Sequence, residues 1–288
     1  MAGPYTTLID PKTLAAHIQK PGWVVVDCRF ALMAPELGRQ DYDASHLPGA
    51  FYADLERDLS GPRAPGLGRH PLPTLAAFRA TLGRWGITRE TQVVAYDEAS
   101  SVFGSRLWWL LRVFCGHEAV AVLDGGLAAW KGQGLPLSQE PPTFRPIAPY
   151  RGGKPRAGAT LDTDAVSAVV SGRLRRLLID ARGPERFRGL AEPIDPVAGH
   201  IPGAVNRPFE ENLQPDKVFR DPEDLRAGFR ALLGGRLPQE VVHYCGSGVS
   251  ACHNVLAMVV AGLGETTLYP GSWSAWVSDQ SRPVARRS

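Results

Sequence analysis

The sequence is poor in the features that mark secreted, membrane-spanning or nucleic-acid-binding proteins. It holds four cysteines, widely scattered, too few for a disulfide framework. A special cysteine in such a chain is read as reactive or buried, and the expected location is the cytoplasm. No apolar run reaches the roughly 20 residues of a membrane span. The longest, Val255 to Leu263, is about half that length and is broken in character by Ala257 and Gly262. The opening residues, Met-Ala-Gly-Pro-Tyr-Thr-Thr-Leu, lack the basic and apolar regions of a secretory signal and the Arg-rich pattern of an organelle import sequence. The formal charge of +3 is too small to argue for nucleic acid. Core material is not scarce. Apolar residues make up 44% and charged residues 21% of 288 positions, enough for two ordinary domains or one large one.

The chain is written twice, with a period of about 150 residues. Val24-Val25-Val26-Asp27-Cys28-Arg29 is matched by Leu177-Leu178-Ile179-Asp180-Ala181-Arg182. Both read as buried parallel strands with polar groups at the C-terminal end. Ser45-His46-Leu47-Pro48-Gly49-Ala50 is matched by Gly199-His200-Ile201-Pro202-Gly203-Ala204. The strand Gln92 to Tyr96 is matched by Glu240 to Tyr244, each followed by a small-residue loop and an apolar helix. Leu123 to Trp130 is matched by Tyr269 to Trp276. Four matched segments in one order argue for duplication. Successive strand–loop–helix units predict an α/β fold with two tandem domains, each a mainly parallel sheet flanked by helices. The expected division is 1–140 and 157–288, joined by a Pro-, Gly- and Arg-rich linker over 141–156.

The copies differ where chemistry would sit. The strand ending at Tyr244 runs into Cys245-Gly246-Ser247-Gly248-Val249-Ser250 and then a helix. Glycines let successive amides point inward, and a helix N-terminus adds partial positive charge. A cysteine at the mouth of such a nest is expected to ionise readily and suits nucleophilic catalysis through a sulfur adduct. In the first copy Asp97 takes the cysteine's place. A carboxylate is a poor nucleophile and would repel the same anions, so that copy reads as catalytically silent.

Taken together, these segments resemble the tandem-domain sulfurtransferases of the rhodanese superfamily, in the branch that includes the 3-mercaptopyruvate sulfurtransferases. The Cys245–Ser250 loop is similar to that branch's loop, and the two His-Leu/Ile-Pro-Gly-Ala segments and Gly271 to Trp276 resemble the family's signatures. The resemblance implies a double displacement without cofactor or metal. Cys245 takes the outer sulfur of 3-mercaptopyruvate or thiosulfate as a persulfide and passes it to a thiol or cyanide. It implies that Ser247 hydrogen-bonds developing charge and that Gly246, Gly248, Val249 and Ser250 complete the binding loop. Ser250 also reads as the N-cap of the following helix. Arg186 matches the family arginine that grips the donor's anionic group, and a guanidinium fork suits it. His70, Asp54 and Glu56 fall where that branch places a His and an acid that assist Ser247 from the first domain; the alternative for His70 is an exposed loop. The sequence departs from the branch at Ile194 and Asp195, where a second arginine is expected, so the donor stays open with a lean to mercaptopyruvate.

Other residues read as structural. The Asp-x-Arg pairs Asp27/Arg29 and Asp180/Arg182 recur in both copies, as do His46 and His200, whose rings are expected to bond loop backbone. Cys252 reads as an apolar helix position rather than a resolving thiol. His243, Cys245, Cys252 and His253 match no zinc spacing. The tryptophans at 108, 109, 273 and 276 read as core. Among rival functions, a cysteine phosphatase needs Cys-x5-Arg, and that position is Ala251. A persulfide carrier without turnover is opposed by the complete loop and Arg186. Expected partners are a small-molecule donor and acceptor, with no nucleic acid or membrane, in a monomer or weak dimer.

Overall fold

The structure, a computed structural model, describes residues 3–143 and 149–286. The stretch 144–148 of the expected linker lies outside the described residues. The chain divides into two compact units. The first comprises Met1–Gly61, Pro73–Arg156 and Pro215–Phe219; the second comprises Pro62–Leu72, Ala157–Gln214 and Arg220–Ser288.

In the first unit, short apolar runs form β1 (Leu8–Ile9), β2 (Trp23–Asp27), β3 (Phe51–Tyr52), β4 (Gln92–Tyr96) and β5 (Val120–Leu123). They lie in the order β1-β5-β4-β2-β3, with every pair parallel. The helices are α1 (Pro11–Ala15), α2 (Leu37–Ala44), α3 (Leu75–Arg84), α4 (Val102–Trp109) and α5 (Gly126–Gly132). Parallel strands need crossover helices, and these cover the sheet so that β4 and β5 are buried throughout.

The second unit repeats the plan. Its strands are β6 (Leu177–Asp180), β7 (Val205–Asn206), β8 (Val241–Tyr244) and β9 (Thr267–Leu268), in the order β7-β6-β8-β9, again all parallel. Thr160 bridges Leu268 in parallel, standing beside β9 where β1 stands beside β5. The helices are α6 (Thr163–Val170), α7 (Pro184–Phe187), α8 (Pro222–Leu233), α9 (Ser250–Val260) and α10 (Ser272–Trp276). In α8, Leu225, Phe229 and Leu233 recur at every fourth position and form its buried face; Pro222 starts it and Gly234, at φ 56°, ends it. Helix α9 is buried from Ala251 to Met258, and its two polar side chains there, His253 and Asn254, are met by Asn212 Nδ2 at 3.2 and 2.6 Å. Trp273 and Trp276 join Val166, Leu178, Val242 and Tyr244 in the core, and Trp108 and Trp109 are fully buried in the first unit. Among the described residues no helix is long and apolar enough to cross a membrane.

The partition departs from a simple 1–140/157–288 division in three places, one of them Pro215–Phe219, which belongs to the first unit. Residues 149–156 pack with the first unit, where Tyr150 N–H donates to Arg79 O at 3.0 Å and Arg156 N–H to Val113 O at 3.0 Å. The segment Pro62–Leu72, from the middle of the first copy, belongs to the second unit.

His243 lies in the middle of β8 and is fully buried. Its Nε2 faces Met258 Sδ at 3.3 Å. Burial, reinforced by the charge of Arg207, lowers its pKa to about 3. The native ring therefore stays neutral where an unfolded one takes up a proton. Below about pH 6.5 this group makes stability fall with acid, by up to about 1.4 kcal/mol per pH unit. His243→Gln is expected to flatten that dependence, measured as the unfolding free energy in urea at pH 7 and pH 5. Equal slopes in both proteins would contradict the assignment.

Candidate active site

The site is built on the turn from β8 into α9. Cys245 follows the last strand residue, and its side chain is 1% exposed. Gly248 has φ 78°, and a Cβ there would meet Pro270 O at 2.5 Å, so only glycine fits this approach. The resulting turn brings Gly248 N–H to Cys245 Sγ at 3.1 Å. The N–H of Cys245 itself does not face the sulfur side but is turned to Ser272 Oγ at 3.1 Å. Ser272 holds φ 53°, rare for a residue with a Cβ, and its hydroxyl donates in turn to Tyr269 O at 2.9 Å. Trp273 N–H and Ser274 N–H donate to the carbonyls of Cys245 and Gly246, both at 2.9 Å. Thus the start of α10 fixes the cysteine's backbone from behind.

Ser247 Oγ lies 2.7 Å from His70 Nδ1. His70 is 1% exposed, so it is not an exposed loop histidine. Although it lies within the first copy by sequence, it belongs to the second unit, on the Pro62–Leu72 segment. Asp54 does not share in this pair by its Oδ1, which accepts Glu56 N–H at 2.8 Å and Arg57 N–H at 2.9 Å in its own turn.

Two guanidinium groups stand over the loop. A Cβ on Gly246 would lie 3.0 Å from Arg69 Nη2 and 3.6 Å from each terminal nitrogen of Arg186. Arg186 is held by Glu192, through Nε at 3.1 Å and Nη2 at 2.7 Å, and its Nη2 also reaches Asp195 Oδ2 at 3.2 Å. Arg69 Nη1 pairs with Asp195 Oδ1. Burial opposes ionisation of Glu192, but hydrogen bonds from Arg186 and the Asp195 and Ile194 amides outweigh it and hold its pKa below the usual carboxylate range. At Asp195 burial, with Glu192 nearby, prevails over the two arginines and raises the pKa. Asp195, standing where the family's second arginine is expected, is the counter-charge of both arginines. Arg69 was not foreseen, because it meets Asp195 across 126 residues of sequence. The only sequence signal was its place immediately before His70.

Val249 occupies the capping position of α9, already helical at φ −96° and ψ −67°, and no side chain caps the helix. Ser250 is therefore the first helical residue and not the N-cap: the helix starts one residue earlier than its sequence suggests. Cys252 Sγ donates to Gly248 O at 3.4 Å, and all four cysteines are free. Among the described residues no three His, Cys, Asp or Glu side chains converge as a metal site requires.

The first copy shows what its aspartate does. Asp97 Oδ1 accepts Ser101 N–H at 2.8 Å, and Oδ2 accepts the amides of Phe103 at 2.8 Å and Gly104 at 3.3 Å. Its carboxylate occupies the anion nest at the start of α4. The Asp-x-Arg pairs are repeated contact for contact. Arg29 Nη2 lies 2.7 Å from Asp27 Oδ2 and 2.6 Å from Ser45 O; Arg182 Nη2 lies 2.7 Å from Asp180 Oδ2 and 2.7 Å from Gly199 O. His46 Nδ1 and His200 Nδ1 each lie 2.7 Å from a backbone oxygen, that of Tyr42 and of Phe187.

A duplicated parallel α/β sheet, with a cysteine on the strand–helix turn of one copy only, defines a tandem-domain cysteine enzyme. The chain belongs to the rhodanese family, matching the rhodanese-like domain over residues 10–133 and 164–279. It is 48% identical over 279 residues to a Pseudomonas aeruginosa protein named "Probable 3-mercaptopyruvate sulfurtransferase", covering 96% of this chain and 97% of that one. It is 41% identical over 289 residues to a Mycobacterium tuberculosis protein named "Putative thiosulfate sulfurtransferase SseB", covering 97% of this chain and 96% of that one. The solved 3-mercaptopyruvate sulfurtransferase from Leishmania major superposes with a TM-score of 0.81 at 31% identity, covering 93% of this chain and 73% of that one. The chain is accordingly a sulfurtransferase.

Removing either Asp-x-Arg arginine leaves a buried carboxylate unpaired, which costs about 3 kcal/mol or more. Arg29→Leu is expected to lower stability by that amount while sulfur transfer at saturating donor is kept. Loss of turnover in a variant that remains folded by circular dichroism would give Arg29 a role beyond structure.

Proposed function

We propose that the enzyme takes sulfur from 3-mercaptopyruvate. The Cys245 thiolate attacks the donor sulfur, and the C–S bond breaks. Its electron pair leaves on the carbon side as the enolate of pyruvate, and the sulfur remains as a Cys245 persulfide. An acceptor thiolate, or cyanide in the assay, then attacks the outer persulfide sulfur and restores the cysteine. Gly248 N–H, 3.1 Å from Cys245 Sγ, donates a hydrogen bond to the attacking sulfur. The relatives' names divide between mercaptopyruvate and thiosulfate donors.

The observation that carries the donor assignment is the 2.7 Å contact between Ser247 Oγ and His70 Nδ1, two residues from the nucleophile. An enolate must gain a proton to become pyruvate, and a hydroxyl backed by an imidazole delivers one. Sulfite leaving thiosulfate needs none. Charge supports the same choice. Arg69, Arg182 and Arg186 are balanced by Asp180, Asp195 and Glu192, a neutral set that suits a monoanion better than a dianion. We place the protein in the cytoplasm, where its unpaired cysteines stay reduced, as a monomer or weak dimer.

Incubation with 3-mercaptopyruvate is expected to make the protein one sulfur atom heavier at Cys245, reversed by cyanide and abolished in Cys245→Ser. Persistent transfer in that variant would remove Cys245 from the reaction. His70→Asn is expected to lower kcat with mercaptopyruvate about 100-fold and with thiosulfate by less than about threefold. An equal loss on both donors would sink the proton-delivery role and with it the preference for mercaptopyruvate.

A further inference from the structure

We propose that the second unit carries a binding site for a small polyvalent phosphoryl anion, on the edge of its sheet opposite Cys245. The site stands apart from the choice of sulfur donor. All strands of this sheet are parallel, so Cys245 marks its C-terminal edge and the residues leading into β6 and β8 mark the other. Strand β8 separates Glu240 from Cys245, a span of roughly 15 Å. At the far edge lies a hollow of about 440 Å³, a volume that takes a small ligand.

Two turns bring arginine to this hollow. After α6 the chain reverses, with Gly172 N–H donating to Val169 O and Leu174 N–H to Ala168 O, each at 3.0 Å. Gly172, at φ 76°, permits the reversal, and Arg175 and Arg176 follow it into β6. After α8 the chain turns at Gly234 and Gly235, both at positive φ, and Arg236 follows. Leu177 lies beside Val241 in the sheet, so Arg176 and Glu240, one residue earlier on each strand, enter side by side. Half-buried Val169 and Leu174 form the apolar part of the wall.

These arginines lack the partners that arginine has elsewhere in the unit. Arg69, Arg182, Arg186 and Arg207 each pair with a carboxylate. Among the described residues, Arg175, Arg176 and Arg236 make no ion pair. Arg176 and Arg236 each spend Nη1 on a backbone carbonyl, Arg175 O at 2.8 Å and Leu233 O at 3.2 Å, which steadies the forks and leaves their remaining N–H groups open. The one carboxylate in the wall, Glu240, turns Oε2 to Leu237 N–H at 2.8 Å. Three guanidinium groups against one carboxylate leave a net charge of +2 around the hollow.

The first copy shows that the fold does not require arginine here. At the positions matching Arg175, Arg176 and Glu240 it has Gly22, Trp23 and Gln92. Gln92 closes that edge with uncharged bonds to the N–H and carbonyl of Tyr5, both at 2.9 Å. No aromatic ring is among the described residues of the wall, so the hollow offers a base no stacking surface and recognition falls to charge. Forks arriving from two separate turns suit a phosphoryl group, whose oxygens point in several directions, better than a carboxylate, which presents one planar edge.

The test is calorimetric titration of the full chain with sodium tripolyphosphate, at about 0.1 M salt. A single saturable site is expected, and citrate, of similar charge, is expected to bind about tenfold more weakly or worse. Arg175→Gln/Arg236→Gln is expected to weaken tripolyphosphate binding by about tenfold or more, while sulfur transfer stays within about twofold of the parent. Because Arg236 also caps α8, the pair Arg175→Gln/Arg176→Gln, which leaves that cap in place, decides the matter if the first variant fails to fold. No saturable binding to the parent would overturn the site. So would binding that survives both double variants and is displaced by 3-mercaptopyruvate, which would place the anion beside Cys245. Citrate binding as tightly as tripolyphosphate would overturn the assignment to phosphoryl anions.

Discussion

The site depends on one close approach: the backbone of Gly248 against the carbonyl of Pro270. With φ at 78° and a Cβ position only 2.5 Å from that oxygen, no side chain fits there. The turn is thereby held tight between β8 and α9, and the Gly248 amide points back at the sulfur three residues earlier. A looser loop would carry that amide away from the sulfur. The rear of the same turn is locked by α10 through the hydroxyl of Ser272 and the amides of Trp273 and Ser274. The backbone at residue 272 sits in the left-handed region despite its Cβ, a local cost offset by the hydrogen bond its hydroxyl accepts from the cysteine's amide.

The first copy clarifies what is scaffold and what is chemistry. Both copies keep the strand order, the buried Asp-x-Arg pair and the ring that braces the His-Pro-Gly loop. At the position matching Ser272 the first copy has Gly126, also at positive φ, so the turn survives without the hydroxyl. At the position of the cysteine it carries Asp97, whose carboxylate satisfies three amides. Burial raises the Asp97 pKa, and those amides pull against the shift. The nest is preserved but holds an anion of its own. The amides that a bound anion would use at this turn are taken by a side chain of the protein itself.

What was legible in the sequence was whatever repeats or lies close along the chain. The duplication carried the topology, because an apolar run ending in Asp-x-Arg means the same thing twice. The cysteine loop was legible because glycine spacing next to a strand end has few uses. The helix start was misplaced by one residue, since Ser250 has the chemistry of a cap while the backbone is already helical at Val249. Arg69 was missed, and the burial of His70 could not be read, for a common reason. Their segment leaves the first copy's sequence to pack with the second unit, meeting Asp195 and Ser247 at separations of 126 and 177 residues. No local pattern encodes such a pairing.

The arrangement of charge around the loop also explains how three arginines stand together there. Left to themselves they would repel one another, and burying them unpaired would cost several kcal/mol each. Asp180, Glu192 and Asp195 remove that cost, with Arg182 bridging Asp180 and Glu192, and Arg186 bridging Glu192 and Asp195. The chain of alternating charge ends at Arg69. Its inner end, Asp180 with Arg182, is sealed, and the Arg182 guanidinium lies 4.7 Å from the Trp273 ring centre. Only the outer arginines retain solvent access. Because each inner charge is matched inside the fold, the set is neutral, and the guanidinium edges at its outer end are the ones left to meet solvent.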